Sequence, residues 1–334
     1  MPELPEVTTT VKGLQKVLPK LIIVSVWTDL AKKNQKIKQF QDTIKSEKFF
    51  EDFKKKVIGE KIIDVKRRAK NILINIAPTP SASGHSPSGR GRYTILIHLK
   101  MTGHLLYGKY IFHPSPTLPL LRGGRRVGSW APDPNEKKAL FDPFNRFIHV
   151  VFTFSNGKHL AFCDSRKFGK VTIIPTQEIE TTSHLKNIGP EPLEESFTFS
   201  EFKSRLLLKP NWKIKTTLMD QSVIAGIGNI YSDEMLWLAG IHPESNPKKI
   251  SEAQLLKLYK NMKDILAKGI DFGGDSMSDY RDINGEKGEF QNHHNVYQKK
   301  NTKCVKRGCH GVIIRKVING RGAHFCGTHQ KLFN

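Results

Sequence analysis

The spacing of hydrophobic residues changes along the chain and predicts two kinds of secondary structure. Near the N-terminus, apolar residues recur at nearly helical spacing over residues 6–17, and Pro5 with Glu6 suits a helix start. An Asn156-Gly157 turn lies among short runs rich in β-branched and aromatic residues. The runs are LIIVSVW, KIIDVKRR, NILINIA, YTILIHL, RFIHVVFTF, HLAFCD and KVTIIP. This pattern predicts an antiparallel β-sandwich or barrel-like domain.

The second half of the chain has a helical pattern. A polar segment, TQEIETTSHLKN, follows Pro175 and is typical of an interdomain linker. Beyond it, the spacing of apolar residues predicts helices at 200–208, 212–219, 230–239 and 251–268. We therefore expect an α+β multidomain protein. The expected units are an N-terminal β-sandwich at 2–178, a mainly helical domain at 179–295 and a small C-terminal unit at 296–334.

Three segments interrupt these patterns. The Pro/Ser/Gly-rich residues 78–92 and the stretch at about 113–143 are predicted to be poorly ordered surface loops or insertions. A Gly-rich segment at 271–290 ends the last helical pattern, and its composition predicts flexibility.

The charge balance favours nucleic acid as the partner. The 54 Lys and Arg residues outnumber the 31 Asp and Glu residues and leave a net charge of +23, which attracts phosphates. Anionic membrane surfaces would also attract such a chain. However, there is no lipidation motif, and no uninterrupted apolar stretch approaches the ~20 residues that span a bilayer. We therefore expect no membrane association.

The N-terminus and the cysteines suggest an intracellular protein. The start, MPELPEV, does not resemble a signal peptide, and three of the four cysteines lie close together in the C-terminal tail. A reducing compartment fits this usage better than a secreted disulfide framework. We expect a monomer in the cytoplasm or nucleoid of a prokaryote, or in the nucleus or an organelle of a eukaryote.

The C-terminal tail contains a candidate metal site. Its pattern is C-x4-C-x16-C-x2-H, two ligand pairs separated by a stretch that is able to form a β-hairpin. Four protein ligands predict one structural zinc ion, since a catalytic zinc keeps an open position. The alternative is three buried thiols and a surface histidine, and Cys163 is expected to be an ordinary buried thiol. The predicted ligands are Cys304, Cys309, Cys326 and His329.

Pro2 and Glu3 are open to two interpretations. They could simply be a proline and a neighbouring carboxylate at the start of a helix. Removal of Met1, however, would make Pro2 a secondary amine with a pKa near ~8, able to attack a sugar C1′ and form an iminium. Glu3 could then protonate the ring oxygen or move protons during elimination. If Met1 is retained, the Pro2 nitrogen is a tertiary amide and cannot react.

Motifs along nearly the whole chain resemble the formamidopyrimidine-DNA glycosylase family. In order they are PELPEV (2–7), RRAKN (67–71), HLKMTG (98–103), DSRKFG (164–169), IGPEPL (188–193), IKTTLMDQSVIAGIGNIYSDE (214–234) and NGRGAHFC (319–326). The resemblance implies a β-sandwich, a helix-two-turn-helix domain and a C-terminal zinc-finger hairpin, with duplex DNA between the domains. It implies excision of oxidised purines followed by β,δ-elimination.

The resemblance also assigns roles to individual residues. Pro2 corresponds to the Schiff-base nucleophile, Glu3 to the acid/base, Lys70 to a catalytic and phosphate-binding lysine, and Arg321 to the finger arginine that grips phosphate. Met101 and Phe168 resemble the residues that fill the space left by an extruded base, and Arg166 resembles the arginine that bonds the orphaned base. Asn229, Lys215, His149 and Tyr297 are the further phosphate candidates. Glu234 is expected to brace the helical domain.

Residues 271–290 resemble the family's segment that covers an everted base, and we call them the covering loop. Several positions differ from the family pattern: four residues separate the first cysteine pair, His329 replaces a cysteine, Ser278 replaces a basic residue, and the two loops are long. Two alternatives remain open. One is the same fold acting on oxidised pyrimidines, although PELPEV favours the purine branch, and the other is a non-catalytic DNA-binding protein.

Overall fold

The computed structural model describes residues 1–33, 35–79, 93–114 and 128–334. The first helix, α1, spans Leu4–Val17 and so begins two residues before the predicted range. Glu3 and Glu6 form a reciprocal capping box at its start, which satisfies backbone N–H groups that the helix leaves free. The apolar stripe that predicted the helix is buried, including Leu4, Val7 and Leu14.

Two antiparallel four-stranded sheets form the N-terminal sandwich, as the sequence predicted. One sheet has the order β1 (Ile23–Thr28), β8 (Ile148–Phe154), β9 (His159–Cys163) and β5 (His104–Gly108). The other has the order β10 (Lys170–Pro175), β4 (Tyr93–His98), β3 (Asn71–Pro78) and β2 (Glu60–Arg68). Buried side chains such as Phe152, Phe162 and Ile97 form the core between them. All seven β-rich runs of the sequence contain one of these strands.

The sequence pattern missed a helix and three strands. Helix α2 (Glu47–Val57) buries Phe residues and a valine at helical spacing, β5 is short, and β6 (Tyr110–Pro114) pairs with β7 (Gly128–Pro132). Two 3-10 helices follow β7, so the prediction of a poorly ordered loop at 113–143 was wrong for 128–143. Aromatic packing holds the hairpin, since Trp130 contacts Trp27 and Phe112. Residues 80–92 and 115–127 lie outside the described residues.

The second domain contains the four predicted helices, with small shifts at their ends. They are α3 (Phe199–Leu207), α4 (Ile214–Met219), α5 (Asn229–Ala239) and α6 (Glu252–Asp271). Gly240, with φ 72°, ends α5 in the left-handed conformation that glycine allows. Within the described ranges, none of the helices has the length and apolar character that crossing a bilayer requires.

The C-terminal tail forms a hairpin that packs on the helical domain. Strands β11 (Ile313–Ile318) and β12 (Arg321–Cys326) pair in register across a tight turn. Trp237 of α5, Val296 and Ile313 form a small buried cluster with two of the cysteines. The hairpin is therefore attached to the helix that also forms one wall of the candidate site.

Candidate active site and nucleic-acid interface

The N-terminal dipeptide lies where α1 meets the start of α5. The Leu4 amide donates to the carbonyl oxygen of Gly226 at 3.0 Å, and the Ile230 amide donates to Oε1 of Glu3 at 2.9 Å. A Cβ atom at Gly228 would lie 2.4 Å from the Glu3 carboxyl carbon, so only glycine permits this approach. Pro2 is buried and lines a pocket together with Met101, Met277 and Tyr297, among others.

The surroundings of Glu3 favour the protonated form of its carboxyl group. Burial raises the pKa of Glu3, and the Lys70 ammonium offsets part of that rise. Burial lowers the pKa of Lys70, while the carboxylates of Glu3 and Glu6 act to raise it. The Lys70 ammonium donates to the carbonyl oxygen of Ile227 at 2.8 Å. Glu3 and Lys70, two of the predicted catalytic residues, are therefore both buried and electrostatically linked.

Glu6 is a member of this group that the sequence reasoning missed as a site residue. Its carboxylate accepts hydrogen bonds from the amide of Glu3 at 2.7 Å, the hydroxyl of Tyr231 at 2.8 Å and the amide of Asp275 at 2.8 Å. Burial, and then the Glu3 charge, raises the pKa of Glu6 to about 7. Glu6 thus ties α1, α5 and the covering loop together at the floor of the pocket. Its place in the PELPEV motif was the available signal.

Met101, Arg166 and Phe168 form one exposed cluster, although they come from two separate motifs. The guanidinium of Arg166 lies 3.2 Å from Sδ of Met101 and 4.6 Å from the ring centre of Phe168. Met101 and Phe168 remain 37% and 43% exposed, so their apolar side chains are accessible at the surface beside the Arg166 guanidinium. The Asp164 carboxylate accepts a hydrogen bond from the Gly169 amide at 2.6 Å and so stabilises the loop that carries Arg166 and Phe168.

The phosphate candidates have different environments. The side-chain oxygen of Asn229, at the start of α5, is buried without a hydrogen-bond partner among the described residues. Tyr297 is half-buried, and its backbone amide donates to Glu234 at 2.9 Å. Glu234 also accepts the Asn295 and Val296 amides, so it joins α5 to the segment that leads into the C-terminal hairpin, and its role within the helical domain stays a prediction.

Lys215 and His149 are less accessible than a phosphate contact would suggest. Lys215 is 1% exposed, and its ammonium pairs with Asp233, which also accepts the His324 amide. Nδ1 of His149 lies 3.0 Å from the carboxylate of Asp29. The structure therefore places Lys215 in an ion pair and His149 in a hydrogen bond within the protein, and their contact with phosphate stays a prediction.

Arg321 lies at the exposed end of the C-terminal hairpin. It follows the Asn319-Gly320 turn and faces a cleft that Trp212, Lys215 and Thr216 of the helical domain also line. The Asn319 amide donates to the Thr216 hydroxyl at 3.1 Å and so fixes the end of the hairpin against α4. The charge of Arg321 also helps to lower the pKa of Lys70, although burial is the main cause of that shift.

A second basic cleft adjoins Lys70 and was not predicted. Lys70, His98, Lys100 and Lys170 line it, with His184 from the linker. Burial, followed by Lys100 and Lys70, lowers the pKa of His98 to about 3, so the imidazole is neutral at physiological pH. Its Nδ1 accepts the Lys100 amide at 2.9 Å. His98 lies in the HLKMTG motif, which gave a signal only for Met101.

The four predicted metal ligands meet at the base of the C-terminal hairpin. Their donor atoms all lie within 4.8 Å of one another, a spacing suited to tetrahedral coordination. Sγ of Cys304 is 3.3 Å from Nδ1 of His329, and Sγ of Cys309 is 3.6 Å from Sγ of Cys326. The other nitrogen of His329 lies 3.1 Å from the Trp237 carbonyl oxygen, which orients the ring. The cluster can hold a metal ion, as a zinc finger does.

Family models match both large domains of the chain. Residues 1–171 match the formamidopyrimidine-DNA glycosylase N-terminal domain, and residues 188–281 match the formamidopyrimidine-DNA glycosylase H2TH domain. The formamidopyrimidine-DNA glycosylase of Pelotomaculum thermopropionicum is 34% identical over 332 residues, 99% of this chain and 100% of the relative. That of Bacillus subtilis is 32% identical over 333 residues, 99% of each chain.

Solved structures with DNA share the fold. A complex between Lactococcus lactis Fpg and DNA containing an abasic site has a TM-score of 0.73 and 29% identity, covering 98% of this chain and 99% of that one. A complex of MutM with DNA containing carbocyclic 8-oxo-G has a TM-score of 0.72 and 29% identity, covering 99% and 100%. The fold and the site define a DNA glycosylase of the DNA-repair class. The chain belongs to the formamidopyrimidine-DNA glycosylase family.

Proposed function

We propose that this enzyme excises oxidised purines, 8-oxoguanine and formamidopyrimidines, from duplex DNA and then cuts the strand by β,δ-elimination. The observation that carries the proposal is that Pro2 is buried where α1 meets α5, next to Glu3, whose buried carboxyl group is linked electrostatically to the Lys70 ammonium. The family supports it, because the relatives are named formamidopyrimidine-DNA glycosylases and two structural neighbours contain abasic-site or 8-oxo-G DNA.

The chemistry begins once Met1 has been removed. The Pro2 nitrogen attacks C1′ while the bond to the base breaks, and the base leaves with a proton. Protonation of the sugar ring oxygen opens the ring and gives an iminium on Pro2. The raised pKa of Glu3 allows its carboxyl group to hold the proton that this step needs.

Strand cleavage follows from the same iminium. The positive nitrogen acidifies the C2′ proton, and its removal expels the 3′ phosphate. A second elimination expels the 5′ phosphate, and water then hydrolyses the conjugated iminium and frees Pro2. We expect Lys70, whose ammonium donates to the carbonyl oxygen of Ile227, to contact a phosphate flanking the lesion.

The exposed cluster would hold the DNA open during these steps. Met101 and Phe168 are apolar and can occupy the space left by the extruded nucleotide, and Arg166 between them can hydrogen-bond the orphaned base. Tyr297 lines the pocket, Asn229 begins α5 and Arg321 lies on the C-terminal hairpin. All three would bind phosphates, with His149 and Lys215 as further candidates. The predicted partner is damaged double-stranded DNA, and we propose that the enzyme acts as a monomer.

Comparing two substrates can separate the residues that extrude the base from those that carry out the chemistry. We expect the wild-type enzyme to release 8-oxoguanine from a duplex and to cut at a preformed abasic site. Met101→Ala and Arg166→Ala should slow excision by about tenfold, because extrusion becomes less favourable, and should affect abasic-site cleavage much less. Single-turnover rates on the two duplexes measure this.

Lys167→Ala is the matched control, since Lys167 lies between Arg166 and Phe168 but extends away with 55% of its side chain exposed. It should leave the ratio of the two rates unchanged. Equal losses on both duplexes for Met101→Ala and Arg166→Ala would reject the assigned division. If the wild-type enzyme acts on oxidised pyrimidines and not on 8-oxoguanine, the protein belongs to the pyrimidine branch of the family.

We propose that the cluster of Cys304, Cys309, Cys326 and His329 binds one structural Zn²⁺. The C-terminal hairpin is too small to bury enough apolar area for independent stability, so the ion would hold Arg321 in place. We expect one zinc per chain. Cys309→Ser should lose the metal and weaken DNA binding by about tenfold or more. Metal analysis and DNA titration measure both effects.

Cys163→Ala provides the control for the zinc prediction. Cys163 is buried in the sandwich, where its thiol donates to the carbonyl oxygen of Asn145 at 3.1 Å, far from the cluster in sequence and structure. This variant should retain one zinc. Full DNA affinity in metal-free protein would contradict the structural role of the ion.

A further inference from the structure

The covering loop is attached to the N-terminal domain by a buried arginine. The composition of the loop predicted flexibility, yet Arg281 is only 1% exposed. Its Nε and Nη2 donate to the Asp142 carboxylate at 3.1–3.2 Å, and its Nη1 donates to the carbonyl oxygens of Ser278 and Tyr280 at 2.9 and 2.7 Å. All three guanidinium nitrogens are used, and the group lies 4.9 Å from the centre of the Phe144 ring.

Asp142 belongs to the stretch after β7 that the sequence predicted to be a poorly ordered loop. We call residues 133–146 the anchor segment. Two 3-10 helices, Lys138–Phe141 and Pro143–Arg146, give it a defined shape, and Asp142 also caps the second of them by accepting the Phe144 amide at 2.9 Å. The Asp142 carboxylate is therefore fixed by a hydrogen bond within the anchor segment, independently of its contact with Arg281.

Apolar and backbone contacts reinforce the same junction. Ile283 of the covering loop is buried in the core of the N-terminal sandwich, and its carbonyl oxygen accepts the Tyr107 amide at 2.7 Å. A Cβ at Gly285 would lie 2.5 Å from the carbonyl oxygen of Ala139 in the anchor segment. This close approach, with φ +85° at Gly285, requires glycine there. At Gly285, at least, the Gly-rich pattern thus reflects tight docking of the loop and not freedom of movement.

Between these attachments, residues 277–279 form a short tip beside the catalytic pocket. Met277 and Ser278 are exposed, and both line the pocket that contains Pro2. Asp279, the next residue, accepts the Ser165 hydroxyl at 3.2 Å in the loop that carries Arg166. Nη1 of Arg281 donates directly to the Ser278 carbonyl oxygen, so the arginine that pairs with Asp142 also holds the backbone of the tip.

We propose that Arg281 and Asp142 are positioning residues for base excision: the ion pair fixes the covering loop so that its tip, residues 277–279, closes on the extruded base beside Pro2. This inference rests on the proposed function. A loop already ordered loses little entropy when the base arrives, and a fixed tip keeps C1′ of the nucleotide aligned with the Pro2 nitrogen. Because the tip contacts the base, the ion pair should matter for base excision and not for cleavage of an abasic site, which has no base.

The test compares two substrates and one measurement without DNA. Arg281→Ala should increase hydrogen exchange of the loop amides at 276–285 and slow single-turnover excision of 8-oxoguanine by about tenfold or more. Cleavage of a preformed abasic site, which has no base to cover, should change by less than about twofold. Asp142→Asn should act in the same direction.

Two further variants make the result specific. Arg281→Lys keeps the charge but cannot form the bidentate pair, so it should fold normally and reproduce the excision defect. Arg146→Ala removes the same charge from an exposed position in the anchor segment and should change neither rate.

Equal losses on both substrates would overturn the positioning role and leave Arg281 a purely structural residue. Faster loop exchange with unchanged excision would overturn it as well. A wild-type enzyme inactive on both duplexes would refute the proposed function, and with it this role in excision, while the exchange data would still show whether the ion pair fixes the loop.

Discussion

The Pro2→Gly variant is expected to lose borohydride-trapped adduct with 8-oxoguanine duplex by about 100-fold or more. Glycine would still present an N-terminal amine, but without the pyrrolidine ring its nitrogen is not held at the mouth of the pocket that Met101 and Tyr297 line. Misplacement of about an ångström is enough for a loss of this size. Gel quantification of the trapped complex measures it.

Two controls accompany the Pro2 variant. Intact-mass measurement should show Met1 removed in both proteins, because a retained methionine would block either nitrogen. Binding to a duplex with a non-cleavable abasic analogue should be nearly unchanged, since the substitution leaves every phosphate candidate in place. Wild-type levels of adduct from a correctly processed Pro2→Gly protein would show that another amine is the nucleophile.

The Glu3→Gln variant should fold but excise 8-oxoguanine about 10²–10⁴-fold more slowly. The amide oxygen can still accept the Ile230 amide, so the junction of α1 and α5 should persist. What is lost is a carboxyl group that can donate and take up a proton. Thermal unfolding and single-turnover excision separate these effects, and Glu195→Gln, an exposed glutamate of the helical domain, is the matched control.

The pH dependence of wild-type excision should follow the direction of the Glu3 pKa. Burial raises the pKa of Glu3 in the folded protein, so the protonated form persists to higher pH than in a free glutamate. As the pH rises through that raised pKa, the proton is lost and the rate should fall. An excision rate in Glu3→Gln equal to that of the wild type across this range would exclude Glu3 as the proton donor.

Local sequence patterns predicted the strands and helices well because most of them bury one regular face. The exceptions have physical reasons. Strands β6 and β7 depend on packing between Trp130, Trp27 and Phe112, which are distant in sequence. Helix α2 is different, because its buried Phe50, Phe53 and Val57 have the helical spacing from which a helix can be predicted.

The site was predictable only as far as its linear motifs reached. The motifs named Pro2, Glu3 and Lys70 one by one, but only the fold shows that Glu6 links them to the covering loop. Lys215 looked like a free cation in sequence, and its partner Asp233 is supplied by the next helix. Glycine content likewise predicted a flexible loop, because no local signal joins two residues as far apart as Asp142 and Arg281.

The most direct test of the account is to reduce a reaction of wild-type enzyme and 8-oxoguanine duplex with borohydride and to locate the adduct by peptide mass spectrometry. We predict a covalent complex in which Met1 is absent and the DNA sugar is attached to the nitrogen of Pro2. A protein shown to lack Met1 that traps nothing on 8-oxoguanine, oxidised-pyrimidine or abasic duplexes would contradict the account. In that case the cleft binds DNA without catalysis.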